Sequence, residues 1–466
     1  MKNQTSVQQE KESLQECCVY FSENPEINAE IGKVEKFVGL KCIDGKLKIY
    51  FPVGFERPEN VFHITEQKEI EKQNRKDVLN LISVLSSFGK KEEMVKQSDI
   101  FSEKQTVDFP INAYLFIINN FLNFGYYTEK EKIYKKAKSG KANWSRTIKQ
   151  VRPQFINENI FYLDFITQKT NYNETALISQ IHKYCVKESF DKIGFLFSDF
   201  TPEKSNLKLN KILFTSVIRS KAASTFNQEN LMLFKSMIEI INYLDNSNEK
   251  NHFIYGTNNF HHIWEALVDK TFGEKDKDKF YPKVYWKLSD GKSFSFSYDA
   301  KRNSLRPDTI MITNRGAENQ KIFVLDSKYY RYGVTKNSNH LPDSSSIVKQ
   351  IAYAQYIDNE KSNIPQEVKT HKISENIYNA FIMPANLFEE IKMQNIGFSS
   401  ADYVLPFSKD ENSPEKTYYK IHGILLDVRL LMNQHSKNNK LIQDLEKIIS
   451  RPLSFCSDSK KLVSKR

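Results

Sequence analysis

The chain has 466 residues, enough for about two to four domains around sizeable cores. Hydrophobic residues make up 39% and aromatics 13%, with 33 Phe and 23 Tyr, which excludes a disordered protein. No apolar run approaches the ~18 residues of a membrane span. Lysine and arginine number 68 against 57 acids, net +11, and that excess favours a polyanionic partner such as nucleic acid.

Five cysteines, Cys17, Cys18, Cys42, Cys185 and Cys456, show no C-x-x-C or Cys/His cluster, which argues against a zinc site or a disulfide framework. The polar opening MKNQTSVQQEKESLQE lacks an apolar export segment, so a cytoplasmic location without membrane attachment is expected. From Ile31 to Phe55 short apolar clusters flank Asp44-Gly45, a hairpin signal, and predict a small β module. Residues 77–88 and 111–125 carry helical spacing with a glycine close behind each.

The stretch from Gly125 to Pro153 is the most basic, with aromatics interleaved. Lys135, Lys136, Lys141, Trp144, Arg146, Lys149 and Arg152 are its candidate DNA contacts, cations for phosphates and aromatic planes for bases. The same composition also fits a partner-protein surface, or a solvated helix followed by a structural Trp in a turn. Residues 172–250 read as mainly helical, and the polar run from Asp245 to Asn251 marks a boundary. Three segments are expected: 1–110, a β-rich module plus helix; 111–250, a mainly helical basic region; and 251–466, which carries the chemistry.

The third segment opens with a helix that Asn258 can cap, its stripe running through Phe260, Ile263, Trp264, Leu267 and Phe272, with Glu265 beside it. Adjacent His261 and His262 face different ways and read as structural. Strands follow near 283–288 and 293–299, then at TIMIT behind Pro307-Asp308, then at IFVL running into Asp326-Ser-Lys328. Alternate residues of a strand share a face, so Asp326 and Lys328 point the same way. A helix from about Ser346 to Ile357, capped by Ser345 or Ser346, puts Gln350 and Tyr353 on one face, and strands are expected at 378–384 and 419–428.

Pro-Asp followed by Asp-x-Lys suits a metal-dependent phosphodiesterase. Hard carboxylate oxygens hold Mg²⁺ against a phosphate, and a lysine orients or deprotonates water and offsets the charge that develops. Asp-x-Lys or Glu-x-Lys alone is common here. Asp44-Gly-Lys46, Glu66-Gln-Lys68 and Asp290-Gly-Lys292 also match and read as solvated turns or faces.

Taken together, YGTNNFHHIWE (255–265), RPD (306–308), VLDSKYY (324–330) and KQIAYA (349–354) resemble the LlaJI-type restriction endonucleases and, more distantly, the McrC nuclease subunit of McrBC systems. The resemblance is strongest over residues 251–430. It implies a mixed α/β PD-(D/E)xK restriction-endonuclease core behind an N-terminal α+β region, and Mg²⁺-dependent cleavage of double-stranded DNA in phage defence. Carried over, Asp308, Asp326 and Glu265 become metal-site acids, Lys328 the catalytic lysine and Gln350 the polar residue after the core. It also implies a separate McrB-like AAA+ NTPase subunit, in keeping with the lack of a G-x-x-x-x-G-K-[ST] loop. A double-strand cut needs two active sites, so a homodimer or partner-driven pairing is expected. The alternative is an inactive DNA-binding or NTPase-activating assembly subunit, against which the intact Asp308, Asp326 and Lys328 argue.

Overall fold

The computed structural model describes residues 18–22, 37–43, 46–56, 67–89, 108–156, 159–198, 200–246, 252–282, 285–290, 293–295, 305–359, 376–387, 391–405, 416–434 and 436–451. Contacts gather into two compact units, residues 1–95 with 253–466, and residues 96–252. The first opens with β1 (Cys18–Ser22), β2 (Val38–Ile43), β3 (Lys46–Phe51) and α1 (Gln67–Phe88). The second comprises α2 (Ile111–Phe124), β4 (Glu129–Ala137), α3 (Trp144–Gln150), β5 (Gln154–Ile156), β6 (Asn159–Phe161), β7 (Phe165–Asn173), α4 (Leu177–Ile193), α5 (Lys211–Ala223) and α6 (Gln228–Asn246). The chain then returns to the first with β8 (Phe253–Thr257), α7 (Phe260–Phe272), β9 (Tyr285–Lys287), β10 (Ser293–Ser295), β11 (Thr309–Thr313) and β12 (Lys321–Ser327). It ends with α8 (Ser344–Asn359), β13 (Ile377–Ala385), β14 (Met393–Ser399), β15 (Ile421–Asp427), α9 (Val428–Met432) and α10 (Asn439–Ser450).

In the first unit β2 and β3 pair antiparallel with Ile43 opposite Lys46. Asp44 and Gly45, the hairpin signal between them, lie outside the described residues. The small sheet has the order β1-β3-β2-β8, so a strand from beyond the second unit completes it. Gly39 permits that closure: at φ +146° its Cα lies so near Tyr255 that a Cβ would fall 2.2 Å from the Tyr255 carbonyl oxygen. Sequence reasoning set residues 1–110 apart as one segment; the β2–β8 pairing ties the strands of that segment to the chain beyond residue 252.

The larger sheet has the order β11-β12-β13-β15-β14. β11 runs antiparallel to β12, β12, β13 and β15 run parallel, and β14 returns antiparallel at the far edge. The result is a mixed α/β sheet. Strands buried on both faces need apolar runs, and TIMIT and IFVL supply them. On one face Ile310, Ile312, Ile322 and Val324 pack against Tyr353, Ala354 and Ile357 of α8. α7 packs against β11 and β12, burying the expected stripe of Phe260, Ile263, Trp264, Leu267 and Phe272. β9 and β10 pair only with each other among the described residues, and the rest of the expected 293–299 strand lies outside them.

Two expected caps differ. Asn259, not Asn258, caps α7, and it makes no side-chain cap bond; instead its amide donates to Thr257 Oγ1 at 3.0 Å. At α8 the amide of Ser346 donates to Asp343 Oδ1 at 2.8 Å, so Asp343 does the work expected of Ser345 or Ser346. A carboxylate accepts more strongly than a hydroxyl and also suits the positive end of a helix.

The first unit also holds a buried ion pair. Arg429 Nη2 lies 3.1 Å from Asp77 Oδ2, donates to the Glu56 carbonyl at 2.6 Å, and stacks 4.4 Å from the centre of the Phe55 ring. Burial raises the Asp77 pKa, and Arg429 works against that rise. Arg429→Met should therefore lower unfolding stability by about 3–5 kcal/mol, because it strands a buried acid. Asp77→Leu combined with Arg429→Met should recover much of the loss. Denaturant midpoints decide this, and a single variant as stable as the parent would refute the assignment.

In the second unit α2 packs on α4 and α6, and α5 on α6. His182 of α4 is buried, accepts the Tyr127 amide at 2.9 Å, and is pushed down to about 4 by burial. The basic stretch does not begin as a solvated helix: Glu129–Ala137 is β4, paired along its length with β7. A two-stranded ribbon buries little on either face, so no period-two apolar pattern marks it. None of the described helices is long and apolar enough to cross a membrane.

Candidate active site

β11 and β12 bring the predicted acids together. Their register pairs Thr309 with Leu325, so one step further puts Asp308 opposite Asp326. Asp308 Oδ2 accepts the Ser327 amide at 2.8 Å. Asp326 Oδ2 lies 2.9 Å from Lys328 Nζ, the shared side that a two-residue spacing dictates. All three side chains are largely withdrawn from water.

Burial, and then the charge of Asp326, push the Asp308 carboxyl up to about 8; Glu265 adds a smaller push. Two acids this close cannot both ionise cheaply, and Asp308 is the one held above the ordinary carboxylate range. For Lys328, burial lowers the pKa, yet the Asp326 carboxylate more than offsets it and holds the ammonium above its ordinary value. A divalent cation fits this pair on chemical grounds, because it would supply the positive charge that both carboxylates need to ionise. Magnesium in particular is commonly held by one or two carboxylates, with water and substrate completing its shell.

Glu265 and Gln350 occupy other places. Glu265 Oε2 faces His262 Nδ1 at 3.7 Å, and among the described residues no three His, Cys, Asp or Glu side chains gather as a metal-holding group. Glu265 therefore reaches the pair through its charge. His261 and His262, read as structural from the sequence, are exposed with ring centres 4.0 Å apart. Gln350 is wholly buried and its Nε2 donates to the Val324 carbonyl at 2.7 Å, two residues before Asp326. Asn379 extends the brace, donating to the carbonyls of Tyr418 at 2.7 Å and Gln350 at 3.3 Å. Tyr353, on the same face of α8, donates to the Arg306 carbonyl at 3.1 Å and so braces the Pro307-Asp308 approach.

Sequence reasoning missed Lys277. It sits in a lysine- and acid-rich segment, GEKDKDK, yet its Nζ donates to the Asp308 carbonyl at 2.7 Å and lies 2.8 Å from Asp269 Oδ2. Thr309 Oγ1 donates to the other Asp269 oxygen at 3.2 Å, closing a clamp around the main chain that carries Asp308. Lys277→Met should slow cleavage about tenfold by loosening this segment, with Lys277→Arg closer to the parent. Single-turnover rates test it, and equal rates for both variants and parent would remove Lys277 from the account.

In the second unit the predicted cations and Trp144 are exposed. Lys135 and Lys136 are consecutive on β4 and so face opposite sides of the ribbon, and Lys136 pairs with Asp164 at 3.0 Å. The Arg146 guanidinium lies 3.7 Å from the Tyr134 ring centre, and Trp144 meets Phe165 edge-on at 5.3 Å. Lys149 lies in the last turn of α3, and Lys141 and Arg152 flank the helix. The ribbon and the short helix thus form one cationic, aromatic module.

A carboxylate pair beside an ammonium, at the end of a mixed sheet, is a donor set that suits hydrolysis of anionic esters with a divalent cation. The family model of the LlaJI restriction endonucleases matches residues 51–408, most of the chain, and the chain belongs to that family. It is also similar to the type II restriction enzyme BsuMI component YdjA of Bacillus subtilis (strain 168), 25% identical over 241 residues. That match covers 49% of this chain and 50% of the relative, so the chain spans about half the length of the curated relative it matches.

Proposed function

We propose that this protein is a restriction nuclease subunit that hydrolyses phosphodiester bonds of double-stranded DNA with Mg²⁺ in a PD-(D/E)xK core. The observation that carries the reading is the buried Asp308–Asp326 pair with Lys328 2.9 Å from Asp326. Asp308 and Asp326 would hold the cation, with Glu265 adding negative charge nearby. Held there, such a cation would supply Lewis-acid charge to the scissile phosphate. Lys328, kept cationic beside Asp326, steadies the charge that accumulates on the phosphoryl oxygens. Gln350, Asn379 and Lys277 hold the two strand ends in position.

The cations of the second unit, Lys135, Lys136, Lys141, Arg146, Lys149 and Arg152, with Trp144, would contact the DNA. A separate McrB-like AAA+ NTPase is the proposed partner in the cytoplasm, since the chain has no phosphate-binding G-x-x-x-x-G-K-[ST] loop of its own. The relative's description as a component of a restriction enzyme supports work beside other subunits. Two copies, or two partner-held sites, would cut both strands. Incubating supercoiled plasmid with the purified chain in Mg²⁺ or EDTA, with and without the NTPase encoded beside it, tests the proposal. Linear product only with the metal is expected, and metal-independent cutting would overturn the assignment.

A further inference from the structure

The second unit exposes apolar side chains where its charge is most positive. Between Gly125 and Asn173 there are ten lysines and arginines against four acids. Inside that stretch Phe155 is 70% exposed and Ile160 59%, and the two are opposite each other in the β5–β6 pairing. Phe161 and Leu163 follow at 47% and 66%, and Ile148 of α3 at 61%. A hairpin with three residues per strand is marginal by itself, and a Phe–Ile pair left largely in water adds little to it. A bound occupant that takes up this pair would account for it.

The surrounding charge selects the occupant. A second copy of this chain would bring the same cations against these, and an apolar protein partner would leave them unmatched. DNA matches both features, because phosphates neutralise the lysines while an apolar side chain enters between base pairs. Resting on the reading of this unit as the DNA contact, we propose that the β5–β6 hairpin is a wedge. In it Phe155 and Ile160 insert at a base step and partly unstack it, while Lys141, Lys149 and Arg152 hold the flanking phosphates. The chain then binds a kinked duplex more tightly than a straight one.

The experiment uses the full chain and the variant Phe155→Ser with Ile160→Ser, both at exposed positions where folding should persist, checked by circular dichroism and the thermal midpoint. The probes are a 30-base-pair duplex carrying 2-aminopurine and the same duplex with a mismatch beside it, at several salt concentrations. The parent should raise 2-aminopurine fluorescence and prefer the mismatched duplex about tenfold. The double variant should lose both effects while keeping the parent's salt dependence. A separate Lys141→Glu, Lys149→Glu variant should weaken binding to both duplexes and flatten the salt slope. If the Ser variant keeps the fluorescence rise and the preference, the wedge is overturned and the DNA reading stands. If the parent binds neither duplex, both fall. Intact DNA unstacking, with lost binding to the purified NTPase subunit, would mark the hairpin as a protein interface instead.

Discussion

Asp308→Asn is expected to lower plasmid cleavage by about a thousandfold or more and, at the same time, to stabilise the metal-free protein at neutral and alkaline pH. The activity loss follows from removing a carboxylate from the pair. The gain in stability follows from the cause of the pKa shift. Burial, and then the charge of Asp326, raise the Asp308 carboxyl from 3.8 to about 8. A carboxyl with a raised folded-state pKa leaves stability intact below about pH 4, and that stability is lost as pH rises through about 8. Asparagine keeps an oxygen for the Ser327 amide but carries no charge, so its denaturation midpoint should stay level across that interval while the parent's falls. Added Mg²⁺ should raise the parent's midpoint at pH 8 through binding to the native state and leave the variant's unchanged. Equal midpoints for the two proteins from pH 4 to 9 would contradict the geometry assigned to the pair.

Lys328→Met should reduce single-turnover cleavage by about a hundred- to a thousandfold, the usual cost of losing a charge aimed at a transition state. DNA affinity should change little, because the phosphate contacts that dominate binding are assigned to the second unit. Lys328→Arg should recover part of the rate, since a guanidinium keeps the charge but not the point geometry of an ammonium. A rate within threefold of the parent for Lys328→Met would leave Lys328 as a structural partner of Asp326 only.

The parts of this fold that were legible in the sequence are those where burial imposes a pattern. IFVL must be apolar throughout because both faces of β12 are covered, and the switch to Asp-Ser-Lys marks where the buried strand turns polar. The stripe of α7 and the helix at 111–124 were legible for the same reason. β4 was not: its lysines and glutamates favour helix, and the pairing that makes it a strand comes from β7, some thirty residues on. β14 was missed because it is an edge strand, broken near Gly397, which adopts φ +124° where the register shifts. Lys277 carried no signal at all, since its value to Asp308 depends on a turn folding back onto a strand distant in sequence. Gln350 was legible as a residue on the inner face of α8, but its buried contact with the Val324 carbonyl follows from the packing of that helix onto β12.

The most direct test of the central claim is cleavage of supercoiled plasmid in Mg²⁺ by the parent beside Asp326→Asn, with DNA binding and the thermal midpoint measured on the same preparations. Cutting by the parent alone, with both proteins folded and bound to DNA, is the predicted result. Undiminished cutting by Asp326→Asn would place the chemistry elsewhere in the chain.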